Sequence, residues 1–195
     1  MIYEDILDIV IHAKTSEAWM GLDLGTKTIG VAVSDRLLSS ATPLLTVRRK
    51  KFSLDAETLL FEATKRNIGA IILGLPRNMD GSEGPRCQST RAFARNLASL
   101  TELAIGFWDE RLSTVAAERI LLEADTTRKR RAEVIDQVAA GYILQGALDR
   151  AHHLDRACTV LLLEVLLLAD TNAVLARARA AGCEGALDEP SVDLV

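Results

Sequence analysis

The chain has 195 residues, 49% hydrophobic and 26% charged, which is enough for one well-buried domain with appendages and excludes a compositionally disordered chain. A net charge of −4 excludes a global positive field, so any nucleic-acid partner has to be held by local basic patches. Cys87, Cys158 and Cys183 are odd in number, widely spaced and without C-x-x-C pairing, which argues against a disulfide framework or a zinc site and fits a reducing cytoplasm.

The N-terminus, Met1-Ile-Tyr-Glu-Asp-Ile-Leu-Asp, is acidic where an export signal needs positive charge, so the expected location is the cytoplasm. Ile2, Ile6, Ile9 and Val10 recur at helical spacing and predict a short amphipathic helix over residues 2–13, in an extension covering residues 1–17. The next stretch, Met20-Gly-Leu-Asp-Leu-Gly-Thr-Lys-Thr-Ile-Gly-Val-Ala-Val-Ser34, reads as a hairpin of two strands around Gly25 and Lys27. Period-2 alternation puts Trp19, Gly21, Asp23 and Gly25 on one strand face and Met20, Leu22 and Leu24 on the other. Asp23 is thus an acid in a strand, flanked by glycines that leave room beside it, and it needs something to satisfy its charge. The plainer alternative is that it accepts hydrogen bonds from the Gly25-Thr26-Lys27 turn.

A third strand is predicted over residues 41–47, followed by the basic run Arg48-Arg-Lys-Lys51, for which a solvated edge is the commoner outcome. Leu54, Leu59, Leu60 and Ala63 mark a helix ending near Asn67. Gly69-Ala-Ile-Ile-Leu-Gly-Leu75 then reads as a strand buried on both faces. A helix over residues 83–100, a strand over 104–108 and helices over 113–123 and 131–150 follow. Strands paired first as a meander and then alternating with helices imply an α/β mixed sheet covered by helices over residues 18–150. Residues 151–195 differ in character; their run Leu161-Leu-Leu-Glu-Val-Leu-Leu-Leu168 is too short to span a bilayer and is interrupted by Glu164, so no membrane role is expected.

Chemistry gathers at three places. The strand ending Phe107-Trp-Asp-Glu-Arg111 delivers two adjacent acids at a C-terminal strand edge, where ligands collect in open α/β sheets. Alternation groups Glu110 with Trp108 and Asp109 with Phe107, so only one acid enters a site, and the pattern favours Glu110 only slightly. Favourable charge near a helix start, with Ser113 as N-cap, is the plainer alternative. Asp136 lies on a helical stripe with Ala132, Ala139, Ala140, Ile143 and Ala147, small apolar residues suited to close approach against a sheet. Three acids meeting at one sheet edge would suit Mg2+ or Mn2+, with Asp23, Glu110 and Asp136 as ligands, and would support metal-assisted phosphodiester hydrolysis without a covalent nucleophile. His12, His152 and His153 lie outside this region. The loop Leu75-Pro-Arg-Asn-Met-Asp-Gly-Ser-Glu83 enters a helix start with free N–H groups, so Arg77, Asn78 and Ser82 could hold a nucleic-acid backbone, joined by Lys27, Arg111 and the run Arg128-Lys-Arg-Arg131.

Four motifs in this order, Gly21-Leu-Asp-Leu-Gly-Thr-Lys-Thr-Ile-Gly-Val-Ala32, Gly74-Leu-Pro-Arg-Asn-Met-Asp-Gly81, Asp109-Glu-Arg-Leu-Ser113 and Ile135-Asp-Gln-Val-Ala-Ala140, resemble the YqgF family, also called RuvX. The resemblance covers roughly residues 18 to 150. It implies a ribonuclease H-like fold with a five-stranded mixed sheet, cytoplasmic location and trimming of the 5′ end of pre-16S rRNA, a structured RNA. It places the family's first-strand acid on Asp23, its acid-acid-Arg motif on Asp109 to Arg111 and its C-terminal-helix acid on Asp136. Residues 151–195 have no counterpart in it. Alternatives are a Holliday junction resolvase acting on four-way DNA, a non-catalytic RNA-binding scaffold, and an actin-like ATPase, for which a second copy of the fold is lacking.

Overall fold

The computed structural model describes residues 1–13, 17–112 and 136–153, and the chain divides into units 1–149 and 150–195. In the first unit the elements run β1 (Ile2–Tyr3), α1 (Ile6–His12), β2 (Ala18–Leu24), β3 (Thr28–Ser34), β4 (Ala41–Arg48), α2 (Phe52–Arg66), β5 (Ile68–Leu75), α3 (Pro85–Ala98) and β6 (Ala104–Asp109). A 3-10 turn over Glu110–Leu112 follows β6, and a helix here called α4 occupies residues 136–153. The expected helix over 113–123, the cap at Ser113, the basic run 128–131 and the apolar stretch 161–168 lie outside the described residues.

The six strands form one sheet in the order β1-β6-β5-β2-β3-β4, with β3 running opposite to the other five. Five of these strands and their mixed directions are those expected from the sequence. The sixth, β1, pairs in parallel with β6 through only two residues, Ile2 with Ile105 and Tyr3 with Gly106. Ile2, counted with the helix expected over residues 2–13, belongs instead to this strand, and the helix begins at Ile6 behind Asp5 as its N-cap. A two-residue strand is too short to show alternation. Among the described residues, no helix is long and apolar enough to cross a membrane.

The two sheet faces differ for a reason already visible in the hairpin. Met20, Leu22, Ile29, Val31, Ile71, Leu73, Ile105 and Phe107 project to one face and pack with Leu59, Phe93 and Leu97 from α2 and α3. This is the ordinary apolar core, and it removes a large area from water at about 25 cal/mol per Å². Helix α2 ends at Asn67, whose φ of 55° and backbone N–H bonds to Ala63 and Thr64 oxygens form a left-handed cap. Along the other face run Gly21, Gly30, Gly74 and Gly106. A Cβ on Gly21 would lie 2.6 Å from the Leu144 Cβ, one on Gly30 would overlap the Asp136 backbone carbonyl, and one on Gly106 would overlap the Ile9 side chain. These glycines let α1 and α4 approach the sheet more closely than any larger residue would allow.

Candidate active site

The close approach of α4 is what assembles the site. Asp23 is the register partner of Gly30 across the β2–β3 pair, and the Asp136 backbone carbonyl rests on Gly30. The first described residue of α4 is therefore set beside the end of β2. On the other side, β5 separates β2 from β6, and Gly74 of β5 pairs with Trp108 of β6. A Cβ at Gly74 would stand 2.5 Å from the Glu110 Oε1 and 2.5 Å from the Ile143 Cδ1. Glu110 thus crosses over β5 through the gap that Gly74 leaves, toward Asp23.

Asp109 goes elsewhere. Its carboxylate accepts from the Arg111 guanidinium at 2.6 and 3.0 Å and from the Arg111 backbone N–H at 3.1 Å, and Arg77 lies 3.8 Å away. Alternation along β6 explains the division. Trp108 faces α4, where its ring packs on Gly146, and Glu110 shares that side, while Asp109 is grouped with the core residue Phe107.

The electrostatics follow from this packing. Burial pushes the Asp23 carboxyl up to about 6, with the Asp136 charge adding to the rise and the Arg86 guanidinium opposing it. Burial pushes Glu110 up to about 7; the Asp23 charge adds, Arg86 opposes and Asp109 adds a smaller rise. Asp109 moves the opposite way, held below its ordinary value first by its bond with the Arg111 side chain. Two partly desolvated carboxyls repelling one another mark a site poised for a cation. The Gly25-Thr26-Lys27 turn is stapled by Arg49 instead: its backbone N–H donates to the Lys27 oxygen at 2.9 Å and its guanidinium to the Gly25 oxygen at 2.7 Å.

The 76–84 loop is built from its own side chains. Asn78 Nδ2 donates to Ser82 Oγ at 2.9 Å, Ser82 Oγ donates to Asp80 Oδ1 at 2.6 Å, and Gly81 turns the chain at a φ of +87°. Arg77 pairs with Glu83 at 3.4 Å and with Asp109, Arg111 pairs with Asp109, and Lys27 is exposed. Asn78, Ser82, Arg77 and Arg111 therefore all hold internal partners. Among the described residues, Arg86 is a cation beside both acids, and it is not among those the sequence pattern singles out. Arg86 stands in the first turn of α3, after Pro85 at the helix start, where the Cys87 thiol donates to the Pro76 oxygen at 2.9 Å and seats the turn on the end of β5. The signal that could have found it is Pro85, which favours the first helical position and so places Arg86 at the rim of the sheet.

Among the described residues, no group of three or more His, Cys, Asp or Glu side chains stands ready to hold a metal ion. Mg2+ keeps several waters and takes one or two carboxylates together with substrate phosphate, so the pair Asp23 and Glu110 fits such an ion in donor chemistry.

The RuvX family model, described as Holliday junction resolvase, matches residues 17–150. A protein of Ruegeria pomeroyi named as a pre-16S rRNA nuclease is 70% identical over 154 residues, covering 79% of this chain and 100% of that protein. One of Cereibacter sphaeroides (strain ATCC 17029), with the same name, is 67% identical over 156 residues, covering 80% of this chain and 98% of that one. Among solved structures, Thermus thermophilus RuvC in complex with a Holliday junction substrate shares 14% identity over 68% of this chain and 93% of its own, with a TM-score of 0.43. A mixed sheet with acids at one rim, in a chain with relatives this close, defines a nuclease, a hydrolase acting on phosphodiester bonds. The chain belongs to the RuvX family.

Proposed function

We propose that this nuclease trims the 5′ end of pre-16S rRNA in the cytoplasm, using Asp23 and Glu110, with Asp136, to hold Mg2+ or Mn2+. The observation that carries the reading is the passage of Glu110 over Gly74 toward Asp23 at the edge where Asp136 meets Gly30. A divalent cation, when bound, would supply Lewis acidity at a phosphate oxygen and a water of lowered pKa. Asp23 and Glu110 give it carboxylate oxygens, and their elevated proton affinity makes cation binding compete with protonation. Arg86 offers positive charge beside both acids, suited to a phosphate oxygen as charge accumulates there. Asp109 takes a positioning role through Arg111 and Arg77, holding the turn that carries Glu110.

The relatives' name favours RNA, and the family description favours a four-way DNA junction. The test incubates purified full chain with 5′-extended 16S precursor and with a four-way DNA junction, each with magnesium or with a chelator. Magnesium-dependent shortening of the RNA alone supports the proposal; symmetric cutting of the junction alone replaces it with the resolvase. Binding of the precursor without any product leaves a scaffold.

A further inference from the structure

The chain is acidic overall, at −4, yet one side of the Asp23 rim is lined with cations. Strand β4 ends at Arg48, which pairs in register with Thr28, the first residue of β3 after the turn that leaves Asp23. The staple from Arg49 to the Gly25 and Lys27 oxygens ties the run Arg48–Lys51 to that turn. The buried Asp55 anchors it from the other side, with Oδ1 accepting the Lys50 backbone N–H at 3.0 Å. The backbone of the run is thereby held, while the side chains of Lys27, Arg48, Lys50 and Lys51 are exposed.

Register places this run relative to the acids. Asp23 pairs with Gly30, Gly30 pairs with Thr46, and Arg48 lies two residues further along β4. With strands about 4.8 Å apart and about 3.3 Å per residue, the Arg48 Cα is on the order of 12 Å from that of Asp23. That is a separation spanned by a phosphate backbone a short way from the scissile position. Like charges packed into four consecutive residues repel one another, and phosphates relieve that repulsion with release of counterions.

We infer that Lys27, Arg48, Lys50 and Lys51 form a track for the sugar-phosphate backbone of a single strand leaving the site. The inference rests on the assignment of the site to the Asp23 rim. The track contacts phosphate rather than base edges, so it lends affinity without sequence preference.

The experiment measures fluorescence anisotropy of a labelled polyuridine oligonucleotide with the full chain, in chelator, from about 50 to 200 mM salt. Lys50→Gln with Lys51→Gln is compared with Arg36→Gln with Lys65→Gln, a charge-matched pair from the β3–β4 loop and the end of α2, at the opposite ends of the strands. Two lost phosphate contacts reduce the slope of log affinity against log salt by roughly 1.4, at about 0.7 per single-strand phosphate. The control pair leaves the slope at the wild-type value. An equal fall in both variants means net charge alone is at work and overturns the inference, as does an unchanged slope in the Lys50, Lys51 variant or a wild type that binds no oligonucleotide. Failure of the underlying site assignment reads differently: precursor RNA stays uncut in magnesium while the salt slope still responds to Lys50 and Lys51.

Discussion

Replacing Asp23 with Asn is expected to stabilise the metal-free protein at neutral pH while abolishing cleavage. The Asp23 carboxyl is held up to about 6, from an ordinary 3.8. Each pKa unit corresponds to about 1.4 kcal/mol, so the ionised group opposes folding by up to roughly 3 kcal/mol, and its partial exposure to solvent cuts this to about 1.5 kcal/mol. The direction follows from proton counting. Native Asp23 keeps its proton to higher pH than the unfolded chain does, so between about pH 4 and 6 the native state binds more protons and stability falls as pH rises. The amide carries no such dependence. Urea unfolding of both proteins in chelator across that range measures it: the variant's advantage is near zero at about pH 4 and reaches about 1.5 kcal/mol by pH 7. A variant less stable than wild type at pH 7, or a difference independent of pH, would refute the reasoning. It would mean that the carboxylate is satisfied locally and that the site is not poised for a cation.

Other substitutions separate the roles. Gly74→Ala drives a Cβ into the Glu110 carboxylate and Ile143, so it is expected to cost about 1–3 kcal/mol by overpacking and to lower kcat more than tenfold, read by melting and by single-turnover cleavage. Arg86→Gln removes the charge that opposes protonation of both acids, so the acid limb of the cleavage–pH profile moves to higher pH, whereas an unmoved limb would place Arg86 outside the site. Asp109→Asn loosens the Arg111 and Arg77 contacts and lowers activity while leaving Mn2+ affinity near wild type in a calorimetric titration; loss of the metal would make Asp109 a ligand instead.

Much of this arrangement was written in local pattern. The alternation Trp19, Gly21, Asp23 announced an acid on a glycine-lined face, and the same glycines admit α4. The grouping of Glu110 with Trp108 also follows from alternation; what β6 could not reveal by itself was which face α4 would cover. Partner choice was less legible. Nothing in the spacing of residues 75–83 says that Asn78 and Ser82 bond one another, or that Arg77 and Arg111 meet Asp109. Those pairings arise when the loop folds over the ends of β5 and β6. A helix starting at residue 83, which the pattern suggests, gives no reason to aim Arg86 at β2, whereas the start at Pro85 puts Arg86 in the first turn.

The central claim is that Asp23 and Glu110 share a divalent cation, and calorimetric titration of Mn2+ at pH 7.5 into wild type, Asp23→Asn and Glu110→Gln tests it most directly. The account predicts saturable binding to wild type and its loss in either variant, with the fold of both retained. Equal Mn2+ binding by all three proteins would contradict it.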